Sequence, residues 1–215
     1  MSETHGKIHK CKVEGEKYEN EQMKIITKEM TDEIKKCINL DKNSIILDFG
    51  TGTGLIGLNL INDVKHVIFL DVSSGMLDFL EHKCKLQNIK NYTIFKGVME
   101  EYKGEEKVDL ITVGHVLHHI EDLDSLFKCF LRIMKPKSYI CITDLKKDAP
   151  MFDLFPSHHQ HKMPHRGFVP EELCKELEKN GFTNMQVKPA MNIVYPDKDG
   201  KDVSSERFMI FGQAP

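Results

Sequence analysis

The residues best able to do chemistry in this chain gather around a run of glycines. Asp48 ends the apolar stretch Ile45-Ile46-Leu47 and is followed at once by Phe49-Gly50-Thr51-Gly52-Thr53-Gly54. Glycine at every second position lets backbone approach a bound group that a Cβ would hold off. A second apolar stretch, Val67-Ile68-Phe69-Leu70, also ends in an acid, Asp71. Seven of the eleven histidines fall in two groups: His115, His118 and His119 in mid-chain, and His158, His159, His161 and His165 in a proline-flanked stretch. Carboxylates accept hydrogen bonds from hydroxyls or balance a cation, and imidazoles move protons or ligate metals.

These residues need a frame. The β-branched run, the glycine turn and the helical periodicity of residues 55–61 predict strand, turn, helix, the entry unit of a doubly wound nucleotide-binding sheet. Strands are expected at residues 44–49, 66–71, 92–96, 108–113 and 139–144, with helices alternating between them. One helix, over residues 22–40, carries Ile26, Met30, Ile34 and Cys37 on one face. Another follows a cap at Ser73 or Ser74, and a third runs through Leu126, Phe127 and Phe130 to Met134, stopped by Pro136. Pro170 opens a further helix that Gly181 closes. Two last strands, around residues 184–188 and 207–212, are separated by a long loop without a helix, so an antiparallel hairpin is expected.

The chain reads as one domain over residues 1–215. Its parts are a polar arm (1–21), the first helix (22–40), a core (44–144), a lid or substrate loop (146–168) and a C-terminal helix and hairpin (169–215). At 215 residues it can bury roughly 70% of its unfolded surface. Charged residues make up 29% with a net charge of −3, which disfavours nucleic acid and anionic membrane as partners. Lysines near the N-terminus are interleaved with glutamates, as on a solvated helical face. Cys11, Cys37, Cys84, Cys129, Cys141 and Cys174 form no Cys-x-x-Cys pair, and they read as reduced thiols. With no apolar run of ~20 residues and no signal-peptide core, a cytoplasmic protein is expected.

The glycine loop alone admits two ligands. Gly52-Thr53-Gly54-Leu55-Ile56-Gly57 satisfies the dinucleotide pattern, and Asp71 stands where a ribose-binding acid should. Asp48 tilts the balance, because a carboxylate there would repel a pyrophosphate and suit a cationic group. S-adenosylmethionine carries an ammonium, a sulfonium and no phosphate. The loop and Asp48 would suit its ammonium, and Asp71 its ribose hydroxyls.

At this point a family resemblance is visible. Ile46-Leu47-Asp48-Phe49-Gly50-Thr51-Gly52-Thr53-Gly54 resembles the first motif of the class I S-adenosylmethionine-dependent methyltransferases, and Leu70-Asp71-Val72-Ser73-Ser74-Gly75-Met76-Leu77 their second. Val108-Asp109-Leu110-Ile111 with Val116-Leu117-His118-His119-Ile120 resembles the fourth, and Leu131-Arg132-Ile133-Met134-Lys135-Pro136 the turn before the fifth strand. His165-Arg166-Gly167-Phe168-Val169-Pro170 is similar to the lid of small-molecule members of the ubiquinone-biosynthesis-like branch. The resemblance implies an α/β fold with a mostly parallel, doubly wound, seven-stranded sheet and an antiparallel last strand.

It also implies roles. Cofactor binding would fall to Asp48, Gly50, Thr51, Gly52, Gly54, Asp71, Val72, Met76, Val98, Met99, Glu100, Gly114 and His115. The family commonly has Gly-Asp-Ala-Glu after the third strand, and here Gly97-Val98-Met99-Glu100 stands instead. Val98 cannot accept a bond from the adenine amine, which leaves the Met99 backbone, packing or Glu100. His115 is the candidate catalytic base, with a structural histidine as the alternative. His119 and His165 are candidate substrate contacts, His118 a packing residue, and no metal site is expected from the histidine-rich stretch. The expected activity is methyl transfer to a small molecule. Rival readings are RNA or protein methylation, a nicotinamide-dependent oxidoreductase and a non-catalytic cofactor-binding protein.

Overall fold

The computed structural model describes residues 19–150, 152, 163–196 and 199–215. Seven strands form one sheet in the order β3-β2-β1-β4-β5-β7-β6. They are β1 (Ile45–Phe49), β2 (His66–Asp71), β3 (Tyr92–Lys96), β4 (Val108–Gly114), β5 (Met134–Leu145), β6 (Thr183–Pro196) and β7 (Asp202–Gln213). The chain divides into two compact units between Thr112 and Val113, inside β4.

In the first unit, β1 pairs in parallel with β2 from Ile45↔His66 to Phe49↔Leu70, and β2 pairs in parallel with β3. All five residues of β1 are buried, as a parallel strand covered on both faces requires. Helix α1 (Glu21–Cys37) is capped by Asn20, whose side chain accepts from Met23 N at 2.9 Å, and it buries Ile26, Met30 and Ile34. Helix α2 (Leu55–Leu60) leaves the glycine loop, and α3 (Ser74–Leu86) is capped by Ser73. The first strand starts one residue later than expected because the Ser44 hydroxyl is used in a turn, donating to Asp41 Oδ1 at 2.9 Å.

The second unit contains α4 (Leu123–Ile133), capped by Asp122, and α5 (Pro170–Lys179). The apolar stripe expected to run through Met134 ends at Ile133, because Met134 already begins β5. This strand starts five residues before the expected position. Pro136 lies inside it, and at Lys137 the backbone turns to φ 60°, where its N–H donates to Ala214 O at 3.2 Å. Strand β7 is antiparallel to both β5 and β6, as the resemblance implied. The hairpin is longer than its sequence suggests: most of the expected loop is strand, paired from Met191↔Arg207 to Pro196↔Asp202.

Of the expected lid, only residues 146–150, 152 and 163–168 are described. Here Lys146 bridges Phe168, and Phe152 packs with Leu145, Ala149 and Met163. Cys11, His158, His159 and His161 lie outside the described residues. The five described cysteines are free; Cys37 is exposed, while Cys84, Cys141 and Cys174 are buried.

Candidate functional site

The loop from β1 to α2 is built on left-handed backbone, with φ of 63° at Gly50, 54° at Gly52 and 82° at Gly54. Gly54 is constrained twice, since a Cβ there would fall 2.4 Å from Leu80 Cδ1. Gly57 serves packing: its Cβ would fall 2.3 Å from Phe69 Cε1, so α2 lies closer to β2 than a larger residue allows.

Asp48 is buried, and its carboxylate organises the loop from below. Its Oδ2 accepts from Thr51 Oγ1 at 2.6 Å and from Gly57 N at 3.1 Å, and its Oδ1 accepts from Thr112 Oγ1 at 2.7 Å. Burial pushes its pKa up to about 6 in spite of these three bonds, with the charge of Asp71 adding to the rise. At the end of β2, Asp71 ties the loop to α3. Its Oδ2 accepts from Gly52 N at 2.7 Å and its Oδ1 from Ser73 N at 2.8 Å, which leaves each oxygen able to accept again.

Beyond these acids the strand ends present apolar surface. Val72, after β2, is 63% exposed, and Val98, after β3, is 44% exposed. The strands are neighbours, and Gly97 N donates to Asp71 O at 3.1 Å. Met76 is half-buried in the first turn of α3, the Met99 side chain is buried, and Glu100 is exposed. Asp48, Gly50, Thr51, Gly52, Gly54 and Asp71 therefore form one hydrogen-bonded turn, with Val72 and Val98 at its side.

Gly114 and His115 lie in the second unit, where β4 ends. His115 has φ 55°, a strained value for a branched-free but bulky residue, and its N–H donates to Thr143 O at 2.8 Å. Its Nε2 lies 3.0 Å from Nη1 of the buried Arg207. A guanidinium only donates, so Nε2 accepts and the imidazole proton sits on Nδ1. Burial and the Arg207 charge push the His115 pKa down to about 3. An imidazole so weakly basic, with one lone pair already occupied, is suited to orienting a neighbour and poorly suited to removing a proton.

A second imidazole is held differently. His118 Nδ1 meets Asp144 Oδ1 at 2.7 Å, and the His118 N–H donates to Asp144 Oδ2 at 3.3 Å. Burial raises the Asp144 pKa, but the hydrogen bond from His118, the electrostatic influence of His118 and His115 and the Leu145 N–H outweigh it, so the group stays below the usual carboxylate range. The His118 ring lies 4.1 Å from that of the exposed His119 and meets Phe152 edge-on at 5.8 Å. His165 N donates to His118 O at 3.4 Å, and its Nε2 is 3.0 Å from Ile120 O, which places a proton on that nitrogen. The structure thus gathers His115, His118, His119 and His165 in one unit. Among the described residues no group of histidine, cysteine and acid is placed to hold a metal.

Sequence reasoning missed Thr112, Asp144 and Arg207 as partners of these groups. A polar residue inside an apolar strand was the available signal: Thr112 follows Leu110-Ile111, and Arg207 precedes Phe208-Met209-Ile210.

A glycine turn flanked by strand-end acids, on a sheet whose last strand runs antiparallel, defines a nucleotide-binding α/β protein of the methyltransferase type. A family model for the methyltransferase domain matches residues 20–187, and the chain belongs to that family. It is 27% identical over 154 residues to an uncharacterized methyltransferase of Schizosaccharomyces pombe, covering 66% of this chain but only 54% of that protein. It is 25% identical over 185 residues to the ubiquinone biosynthesis O-methyltransferase of Rickettsia bellii, covering 81% of this chain and 75% of that one. The fold superposes on a SAM-dependent methyltransferase from Aquifex aeolicus with a TM-score of 0.64 at 21% identity, covering 86% of this chain and 89% of the other. The fold and family are those of the class I enzymes, whose cofactor is S-adenosylmethionine.

Proposed function

We propose that this protein transfers a methyl group from S-adenosylmethionine to a small-molecule acceptor. The observation that carries the reading is the acid pair. Asp48 is buried beneath the turn with its pKa raised, and Asp71 stands at its rim with acceptor positions to spare. Residues 48–57 contain no lysine or arginine, so the turn offers nothing to neutralise a pyrophosphate. A ligand bearing an ammonium and no phosphate fits this donor set, and its charge would relieve the penalty on Asp48.

In this reading Gly50, Thr51, Gly52 and Gly54 hold the aminoacyl end, and Asp71 accepts the two ribose hydroxyls. Val72, Met76 and Val98 cover the adenine, with the Met99 backbone and Glu100 at its edge, and Gly114 and His115 complete the cofactor contacts. The bound cofactor supplies a methyl group on a sulfonium, already activated for in-line displacement. The chain's task is to align an acceptor and exclude water. His115, locked by Arg207, orients, while His119 and His165 face the acceptor. The acidic balance and the ubiquinone-biosynthesis relative support a small molecule over RNA or protein. Among the described residues no helix is long and apolar enough to cross a membrane.

Calorimetric titration tests the cofactor: S-adenosylmethionine should bind and NADH should not. NADH binding without S-adenosylmethionine binding overturns the assignment. Tight cofactor binding with no transfer to any of a broad panel of phenols, amines and carboxylates would instead make this a binding protein.

A further inference from the structure

The second unit contains a cleft of about 610 Å³, none of whose lining residues has been given a role above. Its volume is in the range of sites for small organic ligands. The floor and one wall are apolar: Phe168 and Phe208 meet edge-on with centroids 6.5 Å apart, and Val187 and Val169 lie beside them. The rim carries two ammonium groups, on Lys146 and Lys147, against one lining carboxylate, Glu171.

The two lysines are not equivalent. Lys146 is paired with Glu206 at 2.6 Å, whereas Lys188, between Val187 and Pro189 on β6, turns its ammonium to the other face of the strand, over the Phe211 ring at 5.7 Å. For the Lys147 ammonium no partner is found among the described residues, and that side chain is exposed. The remaining wall, Val169-Pro170-Glu171, is the first turn of α5, and its N-cap residue Val169 offers no side-chain acceptor. The positive end of that helix dipole points at the cleft, set against the two glutamates of its first turn, Glu171 and Glu172. Across Phe168 a second cavity of about 320 Å³, lined by His165 and Arg166, shares Lys147 with the first.

We propose that this cleft binds a small organic anion with an apolar body, the anionic group held by Lys147 and the body lying on Phe168 and Phe208. A purely apolar ligand would gain nothing from the Lys147 ammonium, and a bare inorganic anion would leave the aromatic floor uncovered. Building on the proposed function, this makes carboxylates and phosphate esters with aromatic or alkyl bodies the first class to offer as methyl acceptors. Binding itself needs no cofactor, so failure here and failure of the methyltransferase reading are separately visible.

The test is a fluorescence titration of the full chain with 8-anilinonaphthalene-1-sulfonate, set against N-phenyl-1-naphthylamine, which has the same rings without the sulfonate. The sulfonate probe should saturate at one equivalent and bind about tenfold more tightly than the neutral one, as one charge-assisted contact is worth. Changing Lys147→Met should remove that preference while leaving the neutral probe and the melting temperature unchanged. In the unaltered protein, phenylacetate or phenyl phosphate should displace the probe and benzyl alcohol should not, and the stronger displacer identifies the head group. Equal affinity for the two probes, or displacement by benzyl alcohol as readily as by the anions, overturns the proposal. So does an undiminished preference in the Lys147→Met variant.

Discussion

Replacing Asp48→Asn should make the ligand-free protein more stable. Burial raises the Asp48 pKa from 3.8 to about 6, about two units, so ionising it in the folded state costs about 3 kcal/mol. Because the folded state holds this proton more tightly than the unfolded chain does, stability falls as pH rises from about 4 to about 6 and stays at the lower level above. An amide cannot ionise and escapes that loss. It can also keep the existing bonds. An oxygen in the Oδ2 position still accepts from Thr51 and Gly57, and a nitrogen in the Oδ1 position donates to Thr112 Oγ1, whose own proton turns to Leu47 O, 3.5 Å away. With imperfect geometry allowed for, the gain at pH 7.5 should be about 1–3 kcal/mol, vanishing near pH 4. S-adenosylmethionine should bind about tenfold more weakly, having lost the acid its ammonium relieves. Urea denaturation of both proteins at pH 4.2 and 7.5, with calorimetric titration of the cofactor, measures all of this. A variant that is less stable at pH 7.5, with the same pH slope as the parent, would refute the argument.

Three further changes probe the same machinery. Asp71→Ala should weaken cofactor binding by about 1.5–3 kcal/mol through lost charge-assisted bonds to the ribose, and an unchanged dissociation constant would show that the ribose lies elsewhere. Gly54→Ala must place a Cβ 2.4 Å from Leu80 Cδ1 at φ 82°; it should cost about 2–4 kcal/mol in chemical denaturation, whereas a loss under 1 kcal/mol would mean that Leu80 gives way freely. His115, with its pKa lowered to about 3, resists protonation when folded, so it removes stability as pH falls below 6.5. Against the parent, His115→Gln should recover about 1–2 kcal/mol between pH 7 and 4.5, allowing for solvent at the half-buried ring; parallel pH profiles would count against the Arg207 lock.

The parallel half of the fold was legible because its signals are local. Strands over residues 66–71 and 92–96 coincide with β2 and β3, since apolar runs bounded by turns fix both ends. The hairpin was underread. The β6 strand contains Pro189, Pro196 and register shifts, and it lies at the sheet edge where such residues are tolerated, so its sequence looks like a loop. The glycine turn and its two acids were equally visible in the sequence, but their attachments were not. Thr112 reaches Asp48 across 64 positions, and Arg207 reaches His115 across 92. Nothing in a single chain's local pattern announces such meetings. They also change what the residues can do: Asp48 becomes the seat of the loop as well as a charge beneath it, and His115 loses the basicity that a free imidazole would have.

The bond from Thr112 to Asp48 also sets a schedule. When residue 57 has just been made, the nascent chain already holds the turn's glycines, yet the side chain that donates to Asp48 Oδ1 in the folded protein does not exist. Another 55 residues, through Thr112, take roughly 3–11 seconds to add at ordinary rates of synthesis. The turn is therefore not a unit that its own stretch of chain can complete: its last side-chain bond waits for the fourth strand.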